Sequence, residues 1–157
     1  MLTVNAKPSE AIALVANIDP DAYAANSYDS GWVDASKFHA FLAVLQMGDL
    51  GSSATVLMKF QQASNSGGTG AEDITDKVTA TFTQAGTDFS NKQALLHLRP
   101  DEMVGALLSF KDGTATHIRI RVTVGVATSD VGAALYGVIP RQTPTSSIDA
   151  SSVVSVG

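Results

Sequence analysis

Residues 116–126 alternate between apolar and polar side chains without a break, and this pattern limits the fold more than any other feature of the chain. The apolar positions are Ile118, Ile120, Val122, Val124 and Val126. The polar positions between them are His117, Arg119, Arg121 and Thr123. A helix would bring apolar residues together about every 3.6 positions, whereas successive side chains of a strand point to opposite faces. The segment is therefore predicted to be a β-strand with one buried face.

Similar patterns predict further strands at residues 28–33, 38–47, 54–62, 77–83, 92–99 and 133–139. The positions predicted to face inward include Val56, Met58, Phe60, Val78, Ala80, Phe82, Ala94, Leu96 and Leu98. Residues 38–47 are nearly all apolar, as expected of a strand buried on both faces, although a helix also fits. Residues 11–18 fit either a helix or a strand, and Asp19–Pro20–Asp21 is predicted to end that segment.

These segments together predict the fold class. No long helical pattern alternates with them, which disfavours a fold of alternating strands and helices. About eight strands separated by turn-rich segments predict an all-β domain, an antiparallel β-sandwich or jelly roll. The 157 residues fit one domain, with the sandwich over residues 11–140 and extended arms over residues 1–10 and 141–157. Lys111–Asp112–Gly113 is predicted to form a hairpin turn, and residues 64–72 a flexible polar loop.

Composition and charge argue against several functional classes. Only 16% of the residues are charged and the net charge is −5, which disfavours binding to a phosphate backbone. The chain contains no cysteine, so disulfides and thiolate chemistry are excluded, and folding in a reducing host cytoplasm is favoured. Residues 1–10 lack the layout of a signal peptide, and no apolar run is long enough for a membrane span.

No motif in the sequence predicts catalysis or a cofactor. Residues 67–70 (GGTG) resemble a phosphate-binding loop only superficially, because the acidic residues that follow would repel phosphate. The histidines, His39, His97 and His117, have no second ligand at a metal-binding spacing, so no metal is predicted. The aspartates of residues 19–34 lie in a turn-rich region and are explained by backbone capping.

Four residues are candidates for contact with a partner. Trp32 is the single tryptophan, and it fits either sheet packing or an interface anchor. Arg119 and Arg121 lie opposite the apolar stripe of their strand, where they are either solvated or paired with acidic groups of a partner subunit. Arg141 opens the predicted C-terminal arm and is taken with them as an interface residue.

Several stretches of the sequence resemble those of small virion structural proteins of tailed bacteriophages, the decoration or cement proteins. They are YDSGWVD (28–34), residues 38–48, KFQQA (59–63), GTGA (68–71), DIT (73–75), TQAGTD (83–88), RIRVTVG (119–125) and ATS (127–129). The resemblance covers residues 11–141, most of the chain. It implies a non-enzymatic β-sandwich or jelly-roll subunit that binds the major capsid protein as a homotrimer on the outside of the head, clamping neighbouring capsomers.

Three alternatives remain open at the level of the sequence. The chain could be another virion component, such as a head–tail connector, a tail protein or a head fibre. It could also be a carbohydrate-binding β-sandwich, although only 6% of its residues are aromatic. An enzyme on a jelly-roll scaffold is the third alternative, and it would need a cluster of histidines with a carboxylate.

Overall fold

The computed structural model describes residues 8–141. A four-residue helix, α1 (Pro8–Ala11), precedes ten strands, and the turns Ala35–Lys37 and Pro100–Glu102 are 3₁₀. The strands are β1 (Ile12–Tyr23), β2 (Asn26–Asp29), β3 (Val33–Asp34), β4 (Phe38–Met47), β5 (Thr55–Ala63), β6 (Glu72–Val78), β7 (Phe82–Thr83), β8 (Gln93–Leu98), β9 (His117–Gly125) and β10 (Ser129–Pro140). The predicted arms fall mostly outside the described residues, at 1–7 and 142–157.

The strands form two antiparallel sheets with the connectivity of a jelly roll. One sheet has the order β1-β10-β4-β8, and the other has the order β2-β9-β5-β6, with β3 and β7 added to β9 and β5. Apart from these two short strands, the first strand pairs with the last, β2 with β9, β4 with β8, and β5 with β6. Nested pairing of this kind is what a long hairpin produces when it is rolled into two sheets. The prediction of a sandwich or jelly roll with about eight main strands is confirmed.

The core lies between the two sheets and is built from alternate positions of their strands. The six-stranded sheet contributes Val56, Met58, Phe60, Ile118, Ile120 and Val122, all fully buried. The four-stranded sheet contributes Phe41, Ala43, Leu45 and Leu135, which are equally inaccessible. Burying each large side chain contributes about 1.5–3 kcal/mol before the entropy of ordering is subtracted. The alternation ends before Val126, which is 70% exposed, because β9 ends at Gly125 and Val126 has φ 72°.

Two ambiguous segments are strands. Residues 38–47 form β4, so the helical alternative is wrong. Residues 12–18 belong to β1, which does not end at Asp19–Pro20–Asp21 as predicted but continues to Tyr23. β1 is an edge strand, and a register shift between Ile18 and Asp21 accommodates the proline, which cannot donate to a ladder.

β4 is not buried on both faces, contrary to the expectation from its composition. Phe41, Ala43 and Leu45 point into the core, whereas Leu42 and Val44 are only half-buried on the opposite side. Among residues 8–141, no second layer covers this outer side of the four-stranded sheet. The apolar character of β4 therefore reflects one core face and one outward apolar face.

The prediction of one continuous strand over residues 77–83 is wrong. β6 ends at Val78, which is 49% exposed, and Ala80 is also exposed. Asp76 has φ 60°, and the β5–β6 register shifts between Lys59 and Gln61, so the alternation is broken by a bulge. Phe82 does pack against the core, but from the separate short strand β7.

The strand predicted at residues 28–33 and the turn predicted at residues 111–113 hold in part. Residues 28–33 divide into β2 and β3 around Ser30, whose Oγ accepts a hydrogen bond from the backbone of Ile120. Gly113 forms the predicted turn, with φ 78° and its N–H bonded to Phe110. That turn closes an irregular loop rather than a hairpin between two long strands, because the preceding pairing is only the bridge between Val104 and Ser109.

Candidate interaction surfaces

Three of the four candidate interface residues lie together on the outer side of the six-stranded sheet. Cross-strand register places Asp29, Arg121 and Lys59 in one row, and Arg119, Gln61 and Asp73 in the next. We call these six residues, with Trp32, the charged face. It results directly from the period-two pattern, because the strand that buries its isoleucines must turn its arginines outward.

Asp29 links the two arginines. Arg121 donates to both carboxylate oxygens of Asp29, through Nε at 2.5 Å and Nη2 at 2.7 Å. Arg119 Nη1 lies 3.0 Å from Asp29 Oδ2, and Arg119 also donates through Nε and Nη2 to Gln61 Oε1. The arginines are therefore paired within the chain, with Asp29, which sequence analysis explained by backbone capping. The place of Asp29 in the strand predicted at residues 28–33 was the one signal available.

A second ion pair connects the two rows of side chains. Lys59 Nζ donates to Asp73 Oδ2 at 2.6 Å, and Gln61 Nε2 donates to Asp73 Oδ1 at 2.7 Å. Because Gln61 also accepts from Arg119, it joins the two ion pairs into one network. The network holds three cations and two carboxylates, so its side chains are fixed in place while a net positive charge remains locally.

Trp32 lies between this network and the loop that follows β5. The guanidinium carbon of Arg119 is 4.5 Å from the centre of the Trp32 ring, a cation–π distance. On the loop, Gly68 has φ 79°, and a Cβ atom there would come within 2.6 Å of Trp32 Nε1. Trp32 is half-buried and is not a member of the core. It thus acts as a platform that packs the loop against the sheet and leaves part of the ring accessible.

The ion pairs shift the pKa values of their members. Hydrogen bonds from Arg121, with the nearby charge of Arg119, lower the pKa of Asp29 below its ordinary value of 3.8. Partial burial acts in the opposite direction on Asp73, but hydrogen bonds from Lys59 and Gln61 outweigh it, and its pKa is also lowered. The bond with Asp29 raises the pKa of Arg121, whereas partial burial lowers that of Arg119. Both arginines remain charged at neutral pH.

Asp29→Asn is expected to lower the free energy of unfolding by about 1 kcal/mol at pH 7, since charge-assisted hydrogen bonds at a partly exposed site contribute about that much. The pKa of Asp29 is lowered in the folded state. Its stabilisation is therefore present above the unfolded pKa and is lost as the pH falls through the folded pKa. Urea denaturation at pH 7 and below pH 4 should show the difference from wild type shrinking with acid. Asp101→Asn, at an exposed side chain, is the control and should change the free energy of unfolding at pH 7 by less than about 0.5 kcal/mol.

Arg141 lies apart from the charged face. Its backbone N–H donates to Lys37 O at 2.8 Å, and its Nε donates to Phe38 O at 3.2 Å. It directly follows Pro140, which pairs with Phe38 at the end of β10. Arg141 is the last described residue, and these hydrogen bonds tie it to the beginning of β4.

The outer side of the four-stranded sheet has the opposite character. Residues paired across the strands form three rows, which are Ile12–Val138–Ala40, Leu14–Tyr136–Leu42–His97 and Asn17–Ala134–Val44–Leu95. We call these eleven residues the apolar face. All except Asn17 and His97 are apolar or aromatic, and none is Asp, Glu, Lys or Arg. Leu95 is 67% exposed and Ile12 is 40% exposed, so the face is open among the described residues.

No three His, Asp or Glu side chains within residues 8–141 are arranged so that they could hold a metal ion. No helix within the same range is long and apolar enough to cross a membrane.

Comparison with known proteins identifies no family. No protein-family model matches the sequence, and no curated protein matches it. Among solved structures, a chain of Desmodium yellow mottle tymovirus aligns at 10% identity and a TM-score of 0.41, covering 92% of this chain and 97% of the viral one. A chain of broad bean stain virus aligns at 13% identity and a TM-score of 0.42, covering 95% and 100%.

A third match is not viral. The arabinosyltransferase EmbB from Mycobacterium smegmatis aligns at 14% identity and a TM-score of 0.34, covering 91% of this chain and 14% of the enzyme. At these identities and TM-scores, the matches assign neither a family nor a function to the chain.

Proposed function

We propose that this chain is a non-enzymatic virion structural protein, a decoration or cement protein that binds the outside of a tailed-phage capsid and stabilises the junctions between capsomers. The observation that supports this most directly is the pair of unlike outer faces on one sandwich. A subunit that bridges neighbours must make contact in more than one direction. An uncharged apolar face on one side and a fixed array of charges with a tryptophan on the other provide two separate contact surfaces.

The fold is compatible with this role. Jelly rolls occur in viral capsid proteins, in lectins and in cupins, so the architecture by itself does not decide between these functions. The sequence resemblance to phage decoration proteins over residues 11–141 favours the first. Many weak contacts suffice for such a protein, because identical sites repeated over a capsid act together.

The charged face is the proposed contact with the major capsid protein. Arg119 and Arg121 are already oriented by Asp29, so little side-chain entropy remains to be lost when a partner binds. The accessible part of Trp32 beside them is the kind of rigid aromatic surface that interface anchors use. Arg141, which directly follows β10, is proposed to contribute from a second position.

Immunogold electron microscopy of virions from the strain that encodes this chain tests the proposal. An antibody raised against the chain should label the outside of intact heads at many sites per particle. Labelling confined to the head–tail junction or the tail would show instead a connector or tail component. Absence of label from purified particles, together with binding on a glycan array, would support a carbohydrate-binding module.

Ending the chain after Arg141 is expected to weaken attachment to heads while leaving the sandwich folded. The hydrogen bonds of Arg141 to Lys37 and Phe38 are retained in this truncation, so the last turn of the described fold keeps its anchors. Co-sedimentation with undecorated heads measures attachment, and circular dichroism with a urea melt measures folding. If the truncated chain is unfolded, residues 142–157 belong to the folded unit and are not an arm.

A further inference from the structure

One edge of the four-stranded sheet presents backbone groups that have no partner among the described residues. β8 is the last strand in the order, and within residues 8–141 it pairs only with β4. In an antiparallel ladder, hydrogen-bonded residue pairs alternate with non-hydrogen-bonded ones. Met47 N–H donates to Lys92 O at 2.9 Å, and the same register makes Ala94 and Leu96 hydrogen-bonded positions of β8. The alternate positions direct their backbone groups away from β4, and we call their N–H groups the outward amides of β8: Gln93, Leu95 and His97.

This edge lacks the features that usually protect an edge strand. Proteins guard exposed edges with charged residues, proline, bulges or very short strands. β1, at the opposite edge of the sheet, contains Pro20 and two register shifts. β8 contains no proline, glycine, Asp, Glu, Lys or Arg, and its pairing with β4 is continuous from Leu98 to Gln93. A row of backbone donors and acceptors at strand spacing is complemented by another extended chain, so this edge is suited to a further strand.

The direction of the chain brings its C-terminal segment toward this edge. β10 and β8 are both antiparallel to β4, so they run in the same direction. β10 ends beside Phe38, and the N–H of Arg141 bonds to Lys37 O. A chain that reverses there runs antiparallel to β8, starting at its Leu98 end. Residues 1–7, in contrast, lead through α1 into β1 at the opposite edge of the sheet.

The C-terminal segment is long enough to reach the edge and pair with it. From Arg141 to a position beside Leu98, the path crosses about three strand spacings of 4.8 Å and follows the sheet for about four residues of 3.3 Å, or about 20 Å in all. Residues 142–147 (QTPTSS) span that distance when extended, at about 3.3–3.6 Å per residue. Residues 148–157 then remain, and β8 has only six residues.

The composition of residues 148–157 (IDASSVVSVG) also matches the edge. Ile148, Val153, Val154 and Val156 are β-branched, and such residues favour strands. Asp149 is the single charged residue of this stretch, and β8 carries no Asp, Glu, Lys or Arg. An uncharged edge and a nearly uncharged segment can therefore pair with little cost of desolvating charge.

We propose that residues 148–157 add an antiparallel strand to the β8 edge of the same molecule, as the fifth strand of this sheet. The pairing needs neither a capsid nor a second copy of the chain, so it stands or falls independently of the proposed function. It is compatible with a role of the C-terminal arm in attachment. An arm already ordered along β8 loses less conformational entropy when a partner binds it.

Amide hydrogen exchange, followed residue by residue by NMR, tests this on the full chain and on the chain ending at Arg141. In the full chain the outward amides of β8 should be protected. In the shortened chain they should exchange at least about tenfold faster, because their acceptors have been removed. The amides of Ala94 and Leu96 bond to β4 in both chains, so they are the internal control and should stay protected.

Proline variants of the full chain separate strand pairing from chain length, and they decide the question if the shortened chain does not fold. Successive residues of a strand direct their N–H groups to opposite sides. Replacing both Val153 and Val154 with proline therefore removes an N–H that points to β8 in either register, and the outward amides should exchange as fast as in the shortened chain. Thr145→Pro, in the connecting stretch, is the matched control and should leave their protection unchanged.

Three results would overturn the proposal. Rapid exchange of the outward amides in the full chain would show that no strand covers the edge. Protection that persists in the chain ending at Arg141 would show that residues 142–157 do not provide it. Protection that rises with protein concentration would show that a second copy supplies the strand.

Discussion

Replacing Gly137 with alanine is expected to lower the free energy of unfolding by about 3 kcal/mol, measured by urea denaturation. Gly137 lies in β10, opposite Phe41 of β4 and Ala13 of β1. A Cβ atom at this position would come within 2.5 Å of Cγ and 2.6 Å of both Cδ atoms of Phe38. Phe38 is completely buried and packs edge-on against Phe41, so its ring cannot move aside without opening the core.

The sign of this effect distinguishes packing from backbone entropy. At a position with free space and a negative φ, alanine in place of glycine stabilises a protein by up to about 1 kcal/mol, because glycine loses more freedom on folding. Gly31 provides the control, since an added Cβ would meet no atom within 4 Å. Gly31→Ala should be neutral or slightly stabilising. A neutral Gly137→Ala would contradict the packing of Phe38 over β10.

Replacing Glu72 with alanine is expected to cost about 2–3 kcal/mol, because the substitution leaves several donors without their acceptor. The Glu72 carboxylate accepts hydrogen bonds from the backbone N–H of Leu108 at 2.7 Å, the N–H of Leu107 at 3.2 Å and Gln62 Nε2 at 3.0 Å. Gln62 is completely buried, and its Oε1 already has no hydrogen-bond partner among the described residues. Gly105 leaves the space that the carboxylate occupies.

Asp101→Ala is the control for this prediction. The Asp101 side chain is 64% exposed and lies 3.6 Å from Arg99 Nε, so its removal should change the free energy of unfolding by less than about 0.5 kcal/mol. Hydrogen exchange of the Leu107 and Leu108 amides gives a second measurement, and Glu72→Ala should accelerate both. Equal costs for the two variants would show that Glu72 does not organise the loop.

The apolar pattern predicted side-chain burial well in some strands and poorly in others. The alternation of residues 54–62 and 116–126 correctly identified Val56, Met58 and Phe60 of β5 and Ile118, Ile120, Val122 and Val124 of β9 as buried, because side-chain direction in a strand is a local property. It was wrong for Val126, which lies beyond the end of β9, and for Gln61, which is buried. The same rule was wrong for Val78 and Ala80. A bulge opposite Lys59 and Gln61 and the positive φ of Asp76 interrupt the pleat, and neither leaves a mark in the apolar pattern.

For the charged face, the sequence predicted the direction of the arginines but not their partners. Sequence analysis placed Arg119 and Arg121 on an outward face, and in the structure both lie on the outer side of the six-stranded sheet. It could not identify Asp29 as their partner, because Asp29 is 92 residues away from Arg121 and the pairing of β2 with β9 is a property of the rolled topology. The position of Trp32 between Arg119 and Gly68 was hidden for the same reason, since a loop and a strand meet there.

The sequence by itself determined that this protein is all-β, that β5 and β9 each have one core face, and that arginines oppose the isoleucines of β9. Those properties depend on the direction of successive side chains, which period-two patterning encodes locally. Only the tertiary structure decided which faces the sheets cover. β4 is apolar on both sides. The six-stranded sheet covers its inner side, and among the described residues no further layer covers its outer side. An apolar side chain favours burial, but the sequence pattern does not specify which element covers it. The arrangement of the two sheets determines that.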